Sequence, residues 1–571
     1  MVESAADFET TTDPDDCRVW LWGVATLDDA DNSFVWGNDH DSFCDHIRER
    51  NSVVHFHNLV HDGTFILDWL FKAGYQYVES RDYLSAGKFT ILMSESGKLY
   101  SIQINWSNGT KCELRDTLKK IPMSLKRAAK AFKLQESKGE IDYHEFRPVG
   151  HLPTANELDY MRNDTVILAK IMRQVRDSGM TKLTVASDAM AEYKALFGKQ
   201  RFVQTFPVLS DEMDAEIRQA YRGGYTYADE RFRKRVVGGG VVLDVNSLYP
   251  FIMYDKMLPY GTPEFFDGAP KPTASHPLTV FAVTFTAKLK DRHIPIIQIK
   301  KSSLFHDSEY VKEIVEPITL HVTNVDWELW QKHYDVQILA YGGGWRFMAA
   351  QGLFKAYIDK WSKIKAESTG GLREIAKLHL NSLYGRFAKN PNVTGKEPYL
   401  EDDTVKYRRG PEETADPVYV AMGVFITSYA RELTITAAQN NYDVFAYCDT
   451  DSLHLLTHTI PVELDVDPKR MGAWKVEYPF DAALYVRSKF YLERLRHRHV
   501  PVRGGVGGIG RHARRRRAWN YVTRIAGVPE DVSSALTFED ITDGRVLTGK
   551  LRPKNVPGGR VLLDETFTIK L

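Results

Sequence analysis

The chain has 571 residues, with 75 Lys plus Arg against 75 Asp plus Glu, so a globally basic nucleic-acid binder is excluded while local charge patches are not. Its 43% apolar and 26% charged residues exclude a disordered chain, and the length suits about two to four domains. Four cysteines (Cys17, Cys44, Cys112, Cys448) with no C-x-x-C spacing, no apolar run of 18 residues and an acidic start lead us to expect a cytoplasmic protein without disulfides, zinc knuckle, membrane span or secretory signal.

In chain order, Val19 to Thr26 reads as a strand, Asp41 to Arg50 as a helix, Ser52 to Phe56 as a strand, and Phe65 to Ala73 as a helix stopped by Gly74. Leu118 to Leu134 is a basic amphipathic stretch, and Glu157 to Val175 has helical periodicity again. This alternation predicts an α/β domain ending near residue 184. Tyr221-Arg222-Gly223-Gly224 and the glycines at 238–240 punctuate the chain before a buried-strand pattern at Val241 to Val245. Short β runs follow through 256–352. Leu353 to Asn390 reads as one helical pattern broken near Gly370-Gly371, and 389–418 is polar and turn-rich. Charge is segregated at both ends. Residues 1–40 hold ten acids and one base, Arg18, whereas 487–517 hold eleven Lys and Arg and one acid, Glu493.

The chemistry is carried by carboxylates. Asp244-Val245-Asn246-Ser247-Leu248-Tyr249-Pro250 and Tyr447-Cys448-Asp449-Thr450-Asp451-Ser452 each follow an apolar β run with aspartate. Two such strands side by side would bring Asp244 and Asp451 together as a platform for two divalent ions, and period-2 geometry would put Asp449 and Asp451 on one face. In Lys377-Leu378-His379-Leu380-Asn381-Ser382-Leu383-Tyr384-Gly385, the residues Lys377, Asn381 and Tyr384 share a helical face suited to a triphosphate and a base. Lys365 adds a second cation nearby.

Asp-x-x-Ser-Leu-Tyr-Pro, Lys-x-x-x-Asn-Ser-x-Tyr-Gly and Tyr-x-Asp-Thr-Asp-Ser, in this order, resemble motifs A, B and C of family B DNA polymerases, and Lys489-Phe490-Tyr491 resembles the Lys-x-Tyr motif after them. Tyr221-Arg222-Gly223-Gly224 resembles the linker of the protein-primed subgroup, the phi-twenty-nine-type polymerases of linear-genome phages. Asp7-Phe8-Glu9, Asn58 to Gly63 and Tyr160 to Asp164 resemble that group's three exonuclease motifs.

The resemblance implies an α/β plus α+β multidomain fold: a ribonuclease-H-like 3′–5′ exonuclease domain (1–184), then a right-hand polymerase. Its parts would be palm (185–255 and 419–523), an insertion contacting a terminal protein (256–352), fingers (353–388), a second insertion for processivity and strand displacement (389–418), and thumb (524–571). The implied activity is DNA-dependent DNA synthesis with proofreading, by protein priming and strand displacement. Implied cofactors are two Mg²⁺ per active site, replaceable by Mn²⁺; implied partners are template and primer DNA, dNTPs and a terminal protein. The chain would act as a monomer in the host cytoplasm.

Residue roles follow from the same resemblance. Asp244, the Val245 carbonyl and Asp451 would hold metal, with Asp449 a helper; Asp7, Glu9, Asp62 and Asp164 would hold metal in the exonuclease, with Tyr160 orienting water and Lys138 assisting. Tyr249, Lys365, Lys377, Asn381 and Tyr384 would bind the nucleotide. Thr10, Asn58, Phe65, Thr117, Leu118, Tyr143, Tyr221, Gly223, Gly224, Ser247, Lys489 and Tyr491 would bind DNA. His61 departs from the group's apolar aromatic. The stretch 494–518 departs too, and reads as a solvated loop, a DNA-contacting basic arm or a local frame error. The alternatives to the functional reading are an inactive polymerase-like DNA-binding protein and a family B polymerase with a nucleic-acid primer.

Overall fold

The computed structural model describes residues 1–134, 141–142, 145–299, 310–415, 418–495, 520–528 and 530–571. They form two compact units. One comprises Met1–Val203, Ala356–Val418 and Lys550–Asp564; the other comprises Gln204–Lys355, Tyr419–Gly549 and Glu565–Leu571.

The first unit is built on an eight-stranded mixed sheet. Its order is Val35–Gly37, Val19–Thr26, Val2–Thr10, Ser52–Phe56, Lys111–Asp116, Leu99–Asn105, Lys88–Met93, Gln76–Tyr77. Strand Val2–Thr10 pairs antiparallel with Val19–Thr26 and parallel with Ser52–Phe56, so it lies inside the sheet. Phe8, Phe43 and Phe56 pack edge to face beside it. Helix Ala155–Asp177 packs on this strand. Its start is fixed by a capping box, in which the Thr154 hydroxyl accepts from the Glu157 N–H and Glu157 reaches back to the Thr154 N–H.

The basic amphipathic stretch Leu118 to Leu134 divides in two: a single turn at Thr117–Lys119 is followed by helix Leu125–Phe132, because Pro122 interrupts the run and Ser124 caps the second piece. One expectation fails locally in this unit. Residues 389–418, read as turn-rich, contain a long β-hairpin, Asn392–Glu401 with Thr404–Thr414. Its turn is Asp402-Asp403, both at positive φ, the geometry for which Asn-Gly is the usual signal. Leu400, Val405 and Tyr407 anchor the hairpin on the core.

The helical pattern after residue 353 splits as expected, into Lys355–Glu367 and Gly371–Phe387, with Gly370 at φ +62. The rings of Trp361 and His379 stack at 3.9 Å between the two helices. Helix Val185–Phe197, expected to begin the palm, packs on Gly371–Phe387 in this same unit.

The second unit carries another eight-stranded sheet. Its main path runs Tyr521–Ile525, Phe490–Leu495, Trp474–Arg487, Gly240–Val245, Ser452–Leu455, Phe445–Asp449, Thr226–Ala228, and Val236–Val237 pairs with Trp474–Arg487. Helix Val420–Asn440 packs against it. A polar hub lies within the sheet: Glu493, fully buried, bonds His454 Nδ1 at 2.6 Å and accepts from the hydroxyls of Tyr485 at 2.7 Å and Tyr478 at 2.8 Å. The segment 256–352 contains a four-stranded antiparallel sheet, Leu258–Phe266, Tyr334–Ala350, Leu278–Leu289 and Glu313–Thr323. Among the described residues no helix is long and apolar enough to cross a membrane.

Candidate active sites

In the second unit, apolar strand Gly240–Val245 delivers Asp244, and strands Phe445–Asp449 and Ser452–Leu455 flank a tight turn that carries Asp451. The register sets Asp244 opposite Ser452, and the Val245 N–H donates to the Asp451 carbonyl at 2.8 Å. Asp244 and Asp451 therefore stand together, as expected.

The extended Asp449–Asp451 segment does not form. Thr450 has φ +61 and the Asp451 N–H donates to the Asp449 carbonyl at 2.7 Å, so the chain turns there, and both aspartates line one cavity. Asp449 accepts from the Thr226 hydroxyl at 2.8 Å and faces Lys489 Nζ at 3.4 Å. Burial first, then the charge of Asp244, pushes the Asp451 carboxyl up to about 7. Burial also raises Asp244, against the pull of Lys475, whose Nζ lies 3.5 Å away. A cavity of about 500 Å³ opens over these acids, with Lys489, Tyr491 and Arg524 on its wall. Ser247 adopts φ +55 at the start of helix Leu248–Asp255, which carries a half-buried Tyr249 in its first turn. Tyr221 is partly buried, and the Gly223 carbonyl accepts from buried Arg431 at 2.8 Å.

In the first unit, strand Val2–Thr10 supplies Asp7 and Glu9, two apart and so on one face. Asp62 begins helix Asp62–Lys72, whose N-terminus favours an anion. Asp164 and Tyr160 lie one turn apart on helix Ala155–Asp177, both buried. Burial, reinforced by the Asp7 charge, lifts the Asp62 carboxyl well above the ordinary range. A cavity of about 450 Å³ joins Asp7, Glu9, Thr10, Asn58, Asp62 and Tyr160. Asn58 stands exposed with φ +79, its N–H held by Asp116 at 3.0 Å.

Other residues expected at the second cavity are placed differently. Phe65 is a core side chain, 1% exposed, and not an open stacking platform. Thr117 is buried, donating to the Phe56 carbonyl at 3.0 Å, while Leu118 is half-buried. His61 lines the cavity 3.4 Å from the Thr10 hydroxyl. Lys138, Tyr143 and most of 494–518 lie outside the described residues.

On helix Gly371–Phe387, Lys377, Asn381 and Tyr384 share the face opposite buried Ile375 and His379. Lys377 Nζ pairs with Glu374 at 2.6 Å. The Lys365 carbonyl accepts from Arg373, which joins the preceding helix to this one.

Among the described residues no three His, Cys, Asp or Glu side chains form a closed metal cage. Each site instead offers neighbouring carboxylates, Asp451 beside Asp244 and Asp62 beside Asp7, with Asp451 and Asp62 raised first by burial and then by the neighbour's charge. A hard divalent cation with open positions for substrate oxygens relieves that repulsion, so the donor sets fit such an ion. Sequence reasoning missed Thr226, Lys475 and Arg524, each of which reaches its site from a strand with no motif of its own.

The family described as "DNA polymerase type B, organellar and viral" matches residues 43–155 and 154–467. A DNA polymerase of Bacillus phage Nf is 42% identical over 576 residues, 99% of either chain. That of Bacillus phage phi29 is 41% identical over 574 residues, covering 99% of this chain and 98% of the other. A solved structure of Phi29 DNA polymerase complexed with primer-template DNA matches with TM-score 0.92 and 40% identity across 100% of both chains. A ternary complex of that polymerase with primer-template DNA and incoming nucleotide substrates matches at 0.91.

Proposed function

The chain belongs to the type B DNA polymerases of organelles and viruses and is a DNA-directed DNA polymerase, and from that premise we propose how its two carboxylate sites divide the work. Asp244 and Asp451 serve primer extension; Asp7, Glu9, Asp62 and Asp164 serve 3′→5′ trimming. Polymerases of this family need divalent metal, and Mg²⁺, two ions per site and replaceable by Mn²⁺, would sit on those carboxylates and the Val245 carbonyl, acidifying the attacking hydroxyl or water and screening phosphate charge.

The chain's own residues do the positioning. Asp449, gripped by Thr226 and Lys489, keeps the motif turn closed. Lys489 and Tyr491, on the wall of the same cavity, hold the primer end. Lys365 and Lys377 neutralise the triphosphate, Asn381 orients it, and Tyr384 meets the base. Tyr249 packs under the sugar and disfavours a 2′-hydroxyl, and Ser247 contacts the DNA. In the trimming site Tyr160 orients the water, while Thr10 and Asn58 grip the frayed strand beside Thr117 and Leu118. Tyr221, Gly223 and Gly224 guide the strand between tasks.

The segment 256–352 would receive a terminal protein whose hydroxyl serves as primer, and the hairpin in 389–418 would close on DNA and support strand displacement. The enzyme would work as a monomer in the host cytoplasm. The reading is supported above all by the register that sets Asp244 opposite Ser452. Primer extension on a circular single-stranded template, with and without dNTPs, tests it. Products longer than one circle with dNTPs, and primer shortening without them, are expected. No extension in Mg²⁺ or Mn²⁺ would defeat the reading, and failure to transfer dNMP to any co-expressed terminal protein would restrict it to nucleic-acid primers.

A further inference from the structure

The C-terminal hairpin, Val546–Val556 with Gly559–Thr568, turns at Pro557-Gly558. Pro553, Arg560, Val561 and Leu562 of this hairpin close one side of the cavity that holds Asp7, Glu9 and Asp62. Two glycines permit the approach. A β-carbon on Gly558, at φ +89, would strike the Cys17 carbonyl, and one on Gly559 would strike the Phe65 ring. The next residue, Arg560, thereby reaches the loop before Asp62 and donates Nη1 to the Val60 carbonyl at 3.0 Å. Its Nε is buried and makes no hydrogen bond.

Among the described residues lining this cavity, Arg560 is the one cation, against three carboxylates. A buried donor left over in a native protein calls for an explanation. The guanidinium is a planar fork matched to phosphate oxygens, and on the wall of this cavity it is placed to meet the backbone of a strand that enters it.

We propose that Arg560, on the wall of this cavity, is a substrate-binding residue of the trimming site, whose guanidinium takes a phosphodiester oxygen of the entering single strand. The inference rests on the trimming activity proposed above. Arg560 also braces the hairpin tip through Val60, so the experiment separates a strut from a ligand.

Full-length wild type, Arg560→Gln, Arg560→Lys and Asp62→Ala are assayed on a 5′-labelled single-stranded oligothymidylate with Mg²⁺, and their thermal unfolding midpoints are recorded. Arg560→Gln should raise KM about tenfold or more, the worth of one charge-assisted bond, with kcat within about twofold. The slope of log(1/KM) against log salt should flatten by about 0.7, as for one lost single-strand phosphate contact. Arg560→Lys should recover part of the KM and the salt slope. Oligothymidylates carrying one uncharged methylphosphonate, walked inward from the 3′ end, should lose affinity at one linkage for wild type and be indifferent there for Arg560→Gln. Unchanged KM, salt slope and methylphosphonate profile in Arg560→Gln, with or without a lower unfolding midpoint, would overturn the proposal and leave Arg560 a strut. Equal degradation by Asp62→Ala and wild type would instead remove the trimming site itself, whatever Arg560 does.

Discussion

Gly224 lies directly against Thr450: a β-carbon there would stand 2.6 Å from the Thr450 hydroxyl and 2.8 Å from its methyl. Thr450 already holds positive φ, and its N–H donates to the Tyr225 carbonyl at 2.8 Å. The linker and the turn that presents Asp451 therefore form one packed unit. Gly224→Ala should move that turn by a few tenths of an ångström or more and lower primer extension by about tenfold or more. Degradation of single strands should remain within about twofold. Extension as fast as wild type in a steady-state assay would show that the turn does not depend on this contact.

Asp244→Ala and Asp451→Ala should each abolish extension, by about 10³-fold or more, because either removes half of the paired carboxylate platform. The control is single-strand degradation. If both activities fall together with the unfolding midpoint, misfolding is the cause and the assignment fails.

The converse pair is Asp7→Ala with Glu9→Ala. Extension with dNTPs should persist, and shortening of a labelled single strand should disappear. Residual degradation at the wild-type rate, in protein freed of contaminating nuclease, would sink the site.

Glu157 predicts a pH dependence of stability. Burial alone would raise its carboxyl, but hydrogen bonds from His151, the Thr154 N–H and Arg147 outweigh burial and hold it at about 2, against an ordinary 4.5. A depressed carboxylate contributes stability that is complete above its unfolded value and is lost as pH falls toward the folded value. The window is therefore about pH 4.5 down to about 2. Glu157→Gln should destabilise at pH 7 by at most about 3 kcal/mol and should match wild type near pH 2. Equal denaturant midpoints for the two proteins at pH 7 would contradict this. The cost lands on the helix that carries Tyr160 and Asp164, so single-strand degradation should be more heat-sensitive in the variant.

The acids of the extension site were legible because a short apolar run ending in aspartate is a local pattern. Strand geometry and buried side chains then force neighbouring strands together. The partners of those acids were not legible. Thr226 reaches Asp449 from more than two hundred residues away, and Lys475 meets Asp244 only through the antiparallel register of two strands. Such pairings are set by tertiary packing, and nothing in the local sequence marks them. The Asp402-Asp403 hairpin was hidden for a different reason. Two aspartates at positive φ are an uncommon solution to a tight turn, and charged residues fill the exposed positions between Leu400, Val405 and Tyr407. Glu493 shows the same limit in reverse: it reads as the one acid in a basic tract, yet its environment is two tyrosines and a histidine inside a sheet.

That buried glutamate sits on a strand whose neighbour resumes the chain beyond the arginine-rich tract. Arg494 is opposite Tyr521, and the Leu495 N–H donates to the Asn520 carbonyl at 2.8 Å. Topologically, the sequence leaves the sheet and re-enters it at the same rung. Loop closure depends only weakly on length, so the pairing of these two strands tolerates connections of very different length. Replacing 497–518 with a two-residue turn should keep the fold's unfolding midpoint and extension on a short primer. If it does, a frame slip confined to that interval would pass unseen by any selection that acts on folding alone.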